Sequence, residues 1–161
     1  ATPMTAATSY YTTDFLVRLV SSRKRVYEIK DERYPEDRDS ENRYQSARPI
    51  FLAHGVEVCK VVLPCESNPI WNNVSLVHQM LHRRDLHAQI IESAKSLDGV
   101  KVEVARDALE AIGASTNDLP LLIAVGVLEV DLLDGRIREG MRASLAYGSL
   151  DHLRVIERFA R

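Results

Sequence analysis

The chain has 161 residues, of which 45% are apolar and 27% charged, with a formal net charge of -2; this is the composition of a soluble globular protein of one domain or two small ones. No apolar run approaches the roughly 18 residues of a membrane helix and the start is not signal-like, so the expected setting is the bacterial cytoplasm rather than a membrane or the exterior. The near-neutral charge argues against a broad, non-specific grip on nucleic acid but leaves room for a local basic face, since residues 1–84 carry 12 basic and 10 acidic residues and residues 85–161 carry 9 and 13.

Residues 1–9 are polar and aperiodic. The stretch YTTDFLVRLVSSRKRVYEIK that follows at residues 11–30 reads as a two-stranded hairpin. Phe15, Val17 and Leu19 alternate on one strand, and Tyr27 and Ile29 on the other, so each strand is expected to turn one face to a core. The opposite face carries Asp14 on the first strand and Glu28 with Lys30 on the second, because strand side chains repeat every second residue. The short polar loop at residues 21–24 brings Asp14 close to Glu28. Two carboxylates and an ammonium sharing a patch suit Mg2+, which takes oxygen ligands and keeps waters for a substrate phosphate to displace. Asp14 and Glu28 would be the ligands, and Lys30 would orient the attacking water or stabilise the phosphorane. The alternative is a solvated charge pair on the open face of a sheet.

The charged segment DERYPEDRDSENR then reads as a loop, with Arg33, Arg38 and Arg43 as candidate phosphate contacts. Residues 40–54 read as a helix with Tyr44, Ala47 and Ile50 or Phe51 inward, Gly55 as its stop and Pro49 as a kink or break. Its Gln45 and Arg48 are candidates to reach a metal or DNA. Residues 56–63 form a third strand, carrying Lys60, and residues 68–84 a helix with Ile70, Trp71, Val74, Val77 and Leu81 inward. Cys59, Cys65, His78 and His82 read C-x5-C-x12-H-x3-H, near a zinc-finger spacing. The first gap is too long for a finger, so free thiols and surface histidines are expected instead.

The second part reads as a helix at residues 86–96, a helix at 102–113, a helix at 116–126, a strand at 127–133 and a two-residue hairpin turn at Asp134 and Gly135 before Arg136 to Arg138. Helix, helix, strand, turn, strand is a winged-helix pattern. Its second helix has no Lys or Arg, which favours protein contact over groove binding; Arg136, Arg138 and Arg142 form the basic cluster of this half. The tail repeats Leu150, Leu153, Ile156 and Phe159 at helical spacing and either completes the small domain or docks on a partner.

Asp14, followed after thirteen residues by Glu28-Ile29-Lys30, resembles the PD-(D/E)xK nuclease motif, with Thr13 where the usual proline stands. Together with DERYPEDRDSENRYQSARPIFLAHGVEVCKVVL and NPIWNNVSLVHQMLHRR, residues 10–84 resemble the N-terminal catalytic domain of TnsA, the endonuclease subunit of heteromeric bacterial transposases. The resemblance implies an α/β (α+β) chain, with a restriction-endonuclease-like core at residues 1–84 and a small winged-helix-like domain at 85–161. It implies Mg2+-dependent cleavage of double-stranded DNA at the 5′ ends of the transposon, with a DDE transposase subunit and an AAA+ regulator ATPase as partners. Asp14, Glu28 and the Ile29 carbonyl would hold Mg2+ or its substitute Mn2+, with Asp14, Glu28 and Lys30 as the catalytic set. Nucleases of this fold usually bring a further acid from an upstream helix, and no acidic residue precedes Asp14, so that helix is expected to be missing. The other readings are a non-catalytic nuclease-fold assembly protein bridging transposase or ATPase to DNA, and a restriction or repair nuclease.

Overall fold

The computed structural model describes residues 14–19, 21–34, 37–83 and 87–160, a mixed α/β arrangement in two compact units. The first comprises the chain up to Cys65 together with Ile156–Arg161, and the second is Glu66–Val155. The division falls at 65/66 rather than 84/85, and the chain returns to the first unit at its 156–161 segment. Thr13, Pro35 and Arg84 lie outside the described residues.

The first unit is a three-stranded sheet in the order β1-β2-β3. β1 (Phe15–Arg18) runs antiparallel to β2 (Lys24–Asp31), with Phe15 opposite Tyr27 and Arg18 opposite Lys24. The turn between them is held by the Ser22 amide on the Leu19 carbonyl and the Leu19 amide on that of Arg23, both 2.8 Å. Central β2 then pairs in parallel with β3 (Val56–Leu63), Glu28 opposite Lys60 and Lys30 opposite Val62. Parallel strands need a crossover, here α1 (Arg38–Ala53). Asp37 caps it by accepting the Ser40 amide at 2.7 Å, and the chain leaves through Gly55 at φ +70°. Pro49 lies within α1 without ending it, contrary to the expected split. Tyr44 and Ala47 are buried as expected, whereas Ile50 is exposed and Phe51 half-buried.

Two expectations for this sheet are corrected. All of β1 is exposed, Phe15 and Val17 included: among the described residues this short edge strand has β2 as its one strand neighbour. The 156–161 segment is not a continuation of a helix either: Val155–Phe159 is a 3₁₀ turn, Ala160 makes an antiparallel bridge to Val61 of β3, and Glu157 pairs with Arg25 at 3.1 Å.

In the second unit α2 (Ile70–Arg83) starts where Asn68 Oδ1 accepts the Ile70 amide, 3.0 Å away. Of the five residues expected inward, Ile70 and Val77 are buried, joined by Asn73, whereas Trp71, Val74 and Leu81 are exposed, so the buried stripe is rotated from the expected one. The rotation has a polar cause. Fully buried Asn73 donates to the carbonyls of Leu132 and Gly135 at 2.8 and 2.7 Å and accepts the Ile137 amide at 3.1 Å, fastening an irregular segment against the helix. That segment is consequently not the expected two-residue hairpin. β4 (Leu128–Val130) pairs instead with β5 (Ala143–Leu145), and Arg136 and Arg138 lie in the long connection.

α3 (Ala88–Ser93) tightens into a 3₁₀ turn at Ala94–Leu97. The predicted start of the next helix at residue 102 moves to α4 (Ala105–Ile112), because Val104 bridges Arg142 and the Ala143 amide bonds the Glu103 carbonyl, adding a strand-like edge to β5. α5 (Leu119–Ala124) is buried at all six positions. Of the described helices, none is long and apolar enough to cross a membrane. Asn73→Ala strips partners from one buried and two half-buried backbone groups and is expected to lower stability by roughly 2–4 kcal/mol in urea denaturation; a loss within experimental error would show that the segment holds itself in place.

Candidate functional site

Period-two alternation and the β2–β3 register put Val26, Glu28 and Lys30 on the same sheet face as Val58, Lys60 and Val62. This is the face α1 covers. Tyr44 of α1 lies with its ring centroid 5.5 Å from the Lys60 ammonium, and Glu41 one turn earlier takes that ammonium in an ion pair of 2.6 Å. Lys60 is therefore neither solvated nor free for a phosphate, and Glu41, which the sequence reading passed over, is its counter-charge. The signal was obscure: Lys60 comes to stand beside Glu28 only once β3 is known to run parallel to β2.

Glu28 is 7% exposed, unusual for a carboxylate. Its Oε1 accepts from the Lys30 ammonium at 2.8 Å, the two side chains lying on one face as their spacing requires. Its Oε2 is buried and, among the described residues, has no hydrogen-bond partner. A lone unsatisfied carboxylate oxygen costs on the order of 1–3 kcal/mol, so its presence calls for a ligand or a water. The solvated charge pair on an open sheet face is thus corrected: the face is roofed by α1 and the pair is largely buried.

Asp14 stands one step beyond the last β1 pair, at the register position opposite Glu28, and its Oδ2 accepts the Ile29 amide at 2.7 Å. The structure therefore ties Asp14 to the Ile29 amide and Lys30 to Glu28, with Asp14 at the register position opposite Glu28. In kind, the donors suit a hard divalent cation: two carboxylates and the Ile29 carbonyl, with one carboxylate oxygen already desolvated and unbonded. Among the described residues no three His, Cys, Asp or Glu side chains converge, so such an ion would draw its remaining ligands from water and substrate.

Beside Lys30 opens a pocket of about 390 Å³, walled also by Tyr34, Tyr44, Gln45, Arg48 and Lys60. Its charges are largely spoken for: Lys60 by Glu41, Lys30 by Glu28, and Glu32 by the Cys65 amide at 2.6 Å. Arg48 makes no ion pair among the described residues and is the uncommitted cation of the wall. Gln45 is held by Glu41 at 2.5 Å. Of the arginines expected in the charged loop, Arg33 is clamped on Asp31 at 2.6 Å, whereas Arg38 and Arg43 lie in α1 instead, Arg43 bonding the Asp39 carbonyl one turn back at 3.3 Å.

The zinc pattern does not assemble. Cys59 sits within β3, where burial pushes its thiol up and disfavours the thiolate a metal needs. His78 and His82 lie on exposed turns of α2. In the second unit, α5 has no free face for a DNA groove or for a partner, since every one of its residues is core.

The chain matches no known family model, no curated protein and no solved structure.

Two consequences are measurable. Lys30→Met leaves the Glu28 carboxylate buried without a counter-charge and is expected to cost about 3–5 kcal/mol in denaturant unfolding, with Glu28→Gln in the same chain restoring most of it. No restoration would mean that the lysine stem rather than its charge is what matters. At the end of β2, hydrogen bonds from the Arg33 side chain and then its backbone hold Asp31 down at about 2 from the ordinary 3.8. A depressed carboxyl contributes stability that is present above its ordinary value and lost as pH falls through about 2. The Asp31 carboxyl resonance should titrate with that low midpoint, and Arg33→Gln should return it towards the ordinary value; an unchanged midpoint would locate the cause elsewhere.

Proposed function

We propose that this chain is a metal-dependent DNA endonuclease subunit of the TnsA type, working with a DDE transposase and an AAA+ regulator to cut the 5′ ends of a transposon. The observation that carries the reading is Glu28: a buried carboxylate, neutralised on one oxygen by Lys30 and unsatisfied on the other. Few purely structural roles retain such a group, whereas a metal-assisted hydrolase needs one. The TnsA-like order of Asp14, Glu28, Ile29 and Lys30 adds the chemical identity of the set.

In this reading Asp14 and Glu28 hold Mg2+, the Ile29 carbonyl assists, and Asp14 stays oriented by the Ile29 amide. The bound ion supplies a more acidic water and neutralises charge on the scissile phosphate. Lys30, paired with Glu28, would orient an attacking water and stabilise the negative charge that develops on the phosphoryl oxygens. Arg48, on the pocket wall beside Lys30, is placed to receive an adjoining phosphate of the DNA backbone, which an arginine meets with two parallel hydrogen bonds.

The test is Mn2+ calorimetry on the parent chain and on the Asp14→Ala, Glu28→Gln double variant, which keeps the volume of the buried side chain. Saturable binding in the parent that disappears in the double variant is expected. Equal, weak binding in both would remove the metal from this patch and favour a nuclease-fold assembly protein without catalysis.

A further inference from the structure

The histidines of α2 belong to neither the acidic patch nor the core. His78 and His82 are one helical turn apart, both exposed, and their Nε2 atoms are 3.2 Å from each other, the rings meeting edge to face with centroids 4.6 Å apart. Residues four apart on a helix share a face, so this spacing is built into the backbone and needs no loop to hold it.

The nitrogen separation has a chemical meaning. Two metal–imidazole bonds of about 2.0–2.1 Å put their nitrogens about 2.9 Å apart at a right angle and about 3.4 Å apart at the tetrahedral angle. The observed 3.2 Å lies between these values. A small turn of the rings therefore converts the present imidazole–imidazole hydrogen bond into a chelate, with no backbone displacement. Neutral imidazole suits the borderline divalent ions Zn2+, Ni2+ and Cu2+ rather than Mg2+ or Ca2+. The pair also occupies the C-terminal part of α2, where the helix dipole favours a cation.

We propose that His78 and His82 form a bidentate, solvent-open site for a borderline divalent transition-metal ion on α2, with water completing its coordination. The ion ties two successive turns of the helix and leaves positions at which a further ligand can bind. This inference is independent of the acidic patch, which recruits hard ions through oxygen.

The test is Ni2+ calorimetry at neutral pH on the full chain, its His78→Ala and His82→Ala variants and the double variant. One histidine-dependent ion per chain is expected, counted as the difference between the parent and the double histidine variant. Because the second bond of a chelate is intramolecular, either single substitution should weaken binding by about 100-fold, and the double variant should bind scarcely less tightly than either single one. The Asp14→Ala, Glu28→Gln variant should retain the histidine-dependent Ni2+ binding, and metal-free melting temperatures of the histidine variants should be unchanged, since both side chains are exposed. The proposal is overturned if the parent shows no saturable binding, if the double histidine variant binds as tightly as the parent, or if one single substitution has no effect.

Discussion

Parallel strands cannot be joined by a tight turn, and the first unit is shaped by that restriction. β2 and β3 run the same way, so the chain between them must climb back across the sheet, and α1 makes that return. A helix laid over a sheet takes one face of it out of water. The face taken here carries Glu28, Lys30 and Lys60, and each charge then requires a partner nearby: Lys30 for Glu28, Glu41 for Lys60. The opposite face meets the same demand differently. Arg25 is bound by Glu57 at 2.7 Å and by Glu157 at 3.1 Å, and its guanidinium stands 5.9 Å from the centre of the Tyr27 ring. The unsatisfied Oε2 of Glu28 is thus a local exception within a sheet whose other buried charges are matched.

The second unit is organised around α5, six residues with no exposed side chain. Asp118, with Ser115, closes the turn that enters it, the carboxylate accepting both the Ser115 amide and hydroxyl at 2.8 Å. Gly126 leaves it at φ +73°, where a Cβ would come within 2.8 Å of the Ser149 carbonyl, so both the backbone conformation and the space require glycine there. An element so enclosed serves packing. Any recognition by this unit falls to its exposed surfaces, among them the loop arginines Arg136 and Arg138.

The juxtaposition of Asp14 with Glu28 and Lys30 was legible because it rests on two local rules, strand alternation and the register of a short hairpin. The extent of β3 and the exit of α1 at Gly55 were legible from local signals too, whereas α1 begins at Arg38, before the expected residue 40, because Asp37 caps it. What periodicity misses is set by distant partners. Trp71 looked like core until Asn73, a polar residue with three backbone partners far along the chain, turned the helix its own way. Asp134-Gly135 carried the chemistry of a hairpin turn, but those same Asn73 contacts drew the segment out of register. The 156–161 segment had helical spacing, and the ion pair and strand bridge that place it on β3 lie 132 residues from Arg25 and much further along the chain from Val61 than any window of pattern reaches.

That segment carries a consequence for how the molecule is made. The first unit is discontinuous, with the 90 residues of Glu66–Val155 standing between its two parts. Were the intervening chain unstructured, bringing its ends together would cost on the order of 4 kcal/mol in loop entropy. A second unit that has already folded holds its two ends at a set distance and relieves much of that cost. The continuous unit can therefore form as soon as it is synthesised, while the sheet carrying the acidic patch is completed only afterwards, when residues 156–161 have left the ribosome and Ala160 can join β3.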